Sequence, residues 1–173
     1  MKTLTEQLAQ YASYHRDVRN IATHFVGIPM IVLATATLLA RPGVHMGGLF
    51  VSPALLTVLA ACVFYLTLDL TLGLLMSALM GLALWFGTWG ATQSSETWLA
   101  LGVGGFLVGW VIQFVGHFFE GRKPAFVDDL VGLLVGPLFV VTEAMFLLGL
   151  RQGLKTDVER RAGPVRRGRL AHS

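Results

Sequence analysis

The sequence predicts an all-α membrane protein, a polytopic helical bundle of four to five transmembrane segments built from residues 1–150, followed by a basic, flexible tail, 151–173. Three observations carry this reading. Five stretches are almost wholly apolar: Phe25–Ala40, Leu49–Leu68, Leu70–Gly87, Trp98–Gly116 and Leu130–Leu150. Of the 173 residues, 54% are hydrophobic and only 13% charged, about half the charged share of a soluble domain. The charges that exist collect between the runs and beyond them. Apolar stretches of roughly 18 residues cross a bilayer as helices, because lipid offers no partner for an exposed peptide group.

The elements follow in order. Residues 4–18 read as a short interfacial helix on which Leu4, Leu8, Tyr11 and Val18 share a face. Asn20 is the expected N-cap of the next helix. This break matters for His15 and His24. On one continuous helix they lie about 900° of rotation apart and point to opposite sides, whereas a bend near Asn20 lets both face a common point. Gly27 and Pro29 predict a kink, or a helix start postponed to Pro29. Arg41–Gly48, with Pro42 and three glycines, is a connection. The second and third runs touch at Asp69, read as a turn residue between helices. Thr88–Thr97 and the polar segment Gly121–Asp129 are further connections. Gly132, Gly136, Pro137 and Glu143 interrupt the fifth run, which reads as a broken or re-entrant segment.

Composition excludes several classes. The one cysteine, Cys62, rules out intrachain disulfides and cysteine-based zinc sites, and its place in an apolar run reads as a small buried hydrophobe. No signal peptide is visible. The tail arginines and Lys155 fit a segment lying against anionic lipid headgroups, and nothing points to nucleic acid. Four crossings between His24 and His117 return the chain to one side. Arg16, Arg19, Arg122 and Lys123 also lie there, so the positive-inside rule makes that side cytoplasmic.

The chemistry-bearing residues gather where the apolar runs end. Gln113, His117 and Glu120, at i, i+4 and i+7, form one polar stripe on a helix. A histidine and a glutamate three apart on one helical face can both bind a metal. With His15 and His24 the set becomes three imidazoles and a carboxylate, which suits iron(II) or zinc. Glu143 is an acid inside an apolar run, a position that calls for a functional reading: a ligand, a partner orienting an imidazole, or a paired structural acid. His45 lies in the opposite loop and His172 in the tail, and both read as solvated. Three functions remain open on these residues alone. One is a metal-dependent membrane oxygenase. Another is a zinc hydrolase with Glu120 as general base. The last is a non-enzymatic transporter subunit or lipid-binding scaffold whose histidines bond only backbone or headgroups.

Two stretches and a third, shorter one carry a resemblance. Tyr14-His15, Asn20, His24 and Gly27-Ile28-Pro29 resemble the N-terminal signature of the Mpo-like 2-hydroxy fatty acid dioxygenases. Trp110–His117, followed by Phe119-Glu120-Gly121-Arg122-Lys123-Pro124, resembles the second signature, and Gly136-Pro137-Leu138-Phe139 with Glu143 the third. The resemblance implies an integral membrane enzyme of fatty acid alpha-oxidation that uses iron(II) and dioxygen to shorten a 2-hydroxy fatty acid by one carbon. It places His15, His24 and His117 as metal ligands, with Glu120 and Asn20 as further catalytic residues. Arg122, Lys123 and Gln113 are then the candidates for holding the substrate. The short loops fit a bacterial inner-membrane protein among membrane lipids, its metal site toward the cytoplasm.

Overall fold

The computed structural model describes residues 2–125 and 129–166. They form two compact units. One holds the residues up to Ile28 and those from Val111 onward; the other is Pro29–Trp110.

The first unit opens with helix α1, Leu4–Ala12. Thr3 and Glu6 make a reciprocal capping box, in which the Thr3 hydroxyl accepts from Glu6 N–H and the Glu6 carboxylate accepts from Thr3 N–H at 2.8 Å. Leu4, Leu8, Tyr11 and Ala12 are buried, as the helical face requires. The helix stops before the sequence suggests. Residues 13–17 form a linker, and α2 starts at Val18, not after an N-cap at Asn20. The capping side chain is Asp17, whose carboxylate accepts from Arg19 N–H at 2.9 Å. Asn20 sits inside the first turn, its amide drawn to buried partners. Helix α2, Val18–Ala40, then runs through Pro29 without ending, so the postponed start is not what forms.

Later in this unit, the C-terminal part of helix α6, Gly105–Glu120, stops at Gly121. That glycine takes φ +69° and donates its N–H to the His117 carbonyl. Helix α7, Gly132–Leu147, contains Pro137, and α8 is Gln152–Ala162. The two are bent by 119° at a short break, the geometry of a broken span or a re-entrant loop. Helix α1 packs on both α7 and α8, and Val158 of α8 is buried. Residues 152–166, read from sequence as part of the charged tail, are therefore in large part a packed helix. Residues 167–173 lie outside those described, as do 126–128 and Met1.

The second unit contains a two-stranded antiparallel hairpin, Val44–Met46 with Leu49–Val51, closed by Gly47 and Gly48 at positive φ. Helix α3, Pro53–Leu68, and α4, Leu70–Ala91, form a hairpin about Asp69. Asp69 caps α4 by accepting from Leu72 N–H at 2.8 Å, in keeping with its reading as a turn residue. Helix α5, Ser95–Leu99, continues through a π-helical turn, Ala100–Gly104, into α6. Trp98 donates its indole N–H to the Thr37 carbonyl at 2.8 Å, and Arg41 lies 4.6 Å over the Trp98 ring. Cys62 is half-buried, not enclosed, since α3 turns much of its surface outward.

Among the described residues, three helices are long and apolar enough to cross a membrane: Val18–Ala40, Leu70–Ala91 and the continuous Ser95–Glu120. The bent α7–α8 pair makes up to four. Helix α3 is apolar but has only 16 residues. Leu74, Leu82, Trp85, Leu107, Val111 and Phe114 are exposed, an apolar exterior that suits lipid and not water.

Candidate metal centre

The three histidines expected as ligands meet in the first unit. His15 lies in the linker, His24 in the second turn of α2 and His117 in the last turn of α6. One nitrogen from each ring lies within 4.8 Å of the others. The ring centroids are 4.4 Å apart for His15 and His24, 4.9 Å for His15 and His117, and 5.2 Å for His24 and His117. All three are buried.

The hydrogen bonds set the tautomers. His15 Nδ1 lies 2.7 Å from the Tyr11 carbonyl, and His24 Nδ1 lies 2.8 Å from the Asn20 carbonyl. A carbonyl only accepts, so each Nδ1 carries the hydrogen and each Nε2 keeps its lone pair. His15 Nε2 and His117 Nδ1 are buried with no hydrogen-bond partner among the described residues. Buried ring nitrogens without partners are costly, and several converging on one point form a cation's donor set. Burial pushes the His15 imidazole well below its usual pKa, and the neighbouring His24 pushes the same way. The bond to Tyr11 opposes this more weakly. The ring is thus neutral and able to ligate at neutral pH. Tyr11 stacks on it at 4.2 Å and 8°, and Phe139 closes another side at 5.6 Å.

Glu120 has both carboxylate oxygens engaged. Its Oε2 accepts from Arg16 N–H at 2.9 Å, Asp17 N–H at 2.7 Å and the Asn20 amide at 3.2 Å. Its Oε1 accepts from the Arg166 guanidinium at 2.5 Å. The carboxylate therefore fixes the linker that carries His15. Asn20 is fully buried. It gives its carbonyl to His24 and its amide N–H to Glu120 and the Tyr14 carbonyl, while its Oδ1 has no partner among the described residues. Gly116 makes this packing possible: a Cβ there would lie 2.5 Å from Asn20 Oδ1 and collide with the Thr23 hydroxyl.

The remaining candidates are spread about the unit. Gln113 is buried, with neither end of its amide paired among the described residues. Arg122 is exposed and donates to the Ser13 carbonyl at 3.0 Å; Lys123 is exposed beside it. Glu143 lies 3.8 Å from Arg16 Nη2 in a mostly buried ion pair, the paired-acid alternative among its three readings. His45 is exposed on the hairpin against Phe50, and His172 lies outside the described residues.

A family model described as 2-hydroxy-palmitic acid dioxygenase Mpo1-like matches residues 1–148. The chain belongs to the Mpo1-like family. It is 34% identical over 161 residues to the 2-hydroxy-palmitic acid dioxygenase MPO1 of Saccharomyces cerevisiae, covering 90% of this chain and 87% of the relative. No solved structure matches. All three imidazoles lie within the residues that the Mpo1-like model covers.

The roles of three contributors escape sequence reasoning. Tyr11 acts through a main-chain carbonyl that any residue would supply; only its aromatic ring, one turn before His15, is a signal. Phe139 lies in the third signature, but nothing in the sequence marks it as packing against His15. Arg166 lies beyond the family match, in a charged stretch where nothing distinguishes it from its neighbours.

Proposed function

We propose that this chain is an iron(II)-dependent dioxygenase that converts a 2-hydroxy fatty acid to the fatty acid one carbon shorter. The observation that carries the reading is the convergence of three buried imidazoles, two of them (His15 and His117) with an unpartnered buried ring nitrogen among the described residues, in a chain of this family. The donor set fits a non-haem iron and has no thiolate. His15, His24 and His117 are the residues that would hold the metal. Iron(II) bound there would supply a redox-active centre with positions open to a chelating substrate and to dioxygen.

The protein's own residues have separate tasks. The Tyr11 and Asn20 carbonyls hold two imidazoles in the tautomer that presents Nε2. The Tyr11 and Phe139 rings exclude water from His15. Glu120 acts as a positioning residue that anchors the linker. Asn20 Oδ1 and the Gln113 amide offer hydrogen-bonding groups for the substrate hydroxyl and carboxylate. Arg122 and Lys123 draw the carboxylate toward this end of the helices. A cavity of about 560 Å³ runs beside α2, with Ile21, Phe25, Phe146 and Leu147 in its wall. That volume suits a lipid-sized ligand, and each buried methylene contributes about 0.8 kcal/mol.

The stoichiometry balances. One 2-hydroxy acid and one dioxygen give the shortened acid, carbon dioxide and water; C2 is oxidised to a carboxyl and the C1–C2 bond breaks. With iron bound, the 2-hydroxyl would offer a second oxygen beside the carboxylate, which a plain fatty acid lacks. We also propose that the protein is integral to a bacterial inner membrane, with the histidines near the cytoplasmic side, on the strength of Arg16, Arg19, Arg122 and Lys123.

The test is metal analysis of protein purified without oxygen or chelator, followed by turnover of a 2-hydroxy acid labelled at C1. Iron near one equivalent and oxygen-dependent release of the label are expected. Iron-loaded protein that retains the label across a range of chain lengths would overturn the activity.

A further inference from the structure

The segment after α8 forms a strap across the linker that carries His15. Arg166 N–H donates to the Arg16 carbonyl at 2.6 Å, and Val18 N–H donates to the Arg166 carbonyl at 3.1 Å. These bonds make Asp17 and Arg166 a parallel β-bridge. One turn of chain earlier, the Gly163 carbonyl accepts from Arg16 Nη1 at 2.9 Å. The strap thus grips the linker by main chain at the Arg16 carbonyl and the Val18 N–H, and by the Arg16 side chain at Gly163.

The Arg166 side chain adds a second grip. Its guanidinium bonds Glu120 Oε1, and the Glu120 side chain is 0% exposed. The other oxygen of that carboxylate receives the N–H groups of Arg16 and Asp17 and the amide of Asn20. Asn20 in turn holds His24 through its carbonyl. Two of the three imidazoles therefore depend on one buried carboxylate. Among the described residues, the cation that bonds its Oε1 comes from outside residues 1–148, the part of the chain that the family model matches. A buried carboxylate stripped of a charged partner is expensive to keep in place.

We propose that Arg166 is a positioning residue of the metal centre: through Glu120 and the β-bridge it fixes the linker so that His15 and His24 present their nitrogens together. The proposal rests on the reading of His15, His24 and His117 as metal ligands. It goes beyond that reading by adding a residue from a segment that the Mpo1-like core does not include.

The experiment uses the full chain in detergent micelles, titrated anaerobically with iron(II), and in parallel with cobalt(II) as a coloured probe of coordination geometry. Arg166→Ala should weaken metal binding on the order of tenfold or more, the usual scale for losing a group that orients a ligand, and should alter the cobalt visible spectrum. Arg166→Lys keeps the charge without the fork and should recover part of the affinity. Arg160→Ala removes an exposed tail arginine paired, among the described residues, with Asp157 and should match the unaltered protein. If Arg166→Ala does not fold, as judged by helical circular dichroism, Arg166→Lys carries the test: affinity reduced relative to the Arg160→Ala control supports the role, and equal affinity refutes it. Wild-type affinity and spectrum in a folded Arg166→Ala protein would overturn the inference while leaving the three-histidine site standing. Failure of the unaltered protein to bind either metal would instead refute the ligand assignment, and the inference with it.

Discussion

Gly116→Ala is the most searching single substitution. Its added methyl would lie 2.5 Å from Asn20 Oδ1, about 0.9 Å inside the 3.4 Å at which ordinary contact begins, and 3.3 Å from the Asn20 Cα. It would also run into the Thr23 hydroxyl. Thr23 has little room to yield, because its Oγ1 donates to the Asn20 carbonyl at 2.7 Å. The strain therefore falls on Asn20, which holds His24 by its carbonyl and Glu120 by its amide. Overpacking of this kind costs about 1–3 kcal/mol, and displacement by about 1 Å of a residue that positions a reacting group lowers turnover roughly 100-fold. The assay compares iron(II) affinity, C1-label release and thermal unfolding of Gly116→Ala with the unaltered protein. The double variant Gly116→Ala/Thr23→Ala should recover some stability but little activity, since Asn20 remains displaced. Wild-type activity in Gly116→Ala would refute the claim that close approach at Gly116 aligns His24 with His117.

Other predictions follow from the same geometry. His117→Ala should lose iron and activity together by metal analysis, while His45→Ala, exposed on the hairpin, should change neither. Glu120→Gln and Arg166→Ala should each lower metal affinity, and the double variant should lose less than their sum because both act through one hydrogen-bonded chain; strict additivity in the cycle would contradict that chain. The His15 imidazole is held below its ordinary pKa of 6.5 in the folded state, so below about pH 6.5 the unfolded chain binds the extra proton. Metal-free protein should then lose stability as pH falls through that range, by at most about 1.4 kcal/mol per pH unit from this group. His15→Gln should flatten the decline in a denaturation midpoint measured from pH 7.5 to 5. A plain fatty acid of the same length as a good 2-hydroxy substrate should show no oxygen uptake in an oxygen-electrode assay.

The sequence showed the helices better than their ends. Long apolar runs leave lipid-facing helices as the one inexpensive arrangement, and α2, α4 and α6 appear where the runs lie. The start of α2 was misplaced because Asp17 and Asn20 are equally good caps in isolation. What separates them is Glu120, which lies 100 residues from Asn20 and draws its amide inward. The three imidazoles were legible because two precede the first apolar run and one closes the fourth, and because the family signatures contain them. Their tautomers were not, since the acceptors are main-chain carbonyls. The packed α8 was hidden for a related reason. Its charges outweigh Val158 in any composition count, yet that one buried side chain and the bonds from Arg16 dock the segment.

The strap also fixes an order of events during synthesis. A growing chain that has reached residue 148 already holds all three imidazoles and Glu120, and its long apolar helices are available for insertion. The bond between Arg16 and Gly163, 147 positions apart, and the β-bridge to Arg166 can close only after those later residues emerge. The entropy of closing so long a loop is met once, at the end. The linker stays untethered by the strap while the bilayer segments settle, and on the proposed reading of the three histidines, metal would be acquired late, after membrane integration.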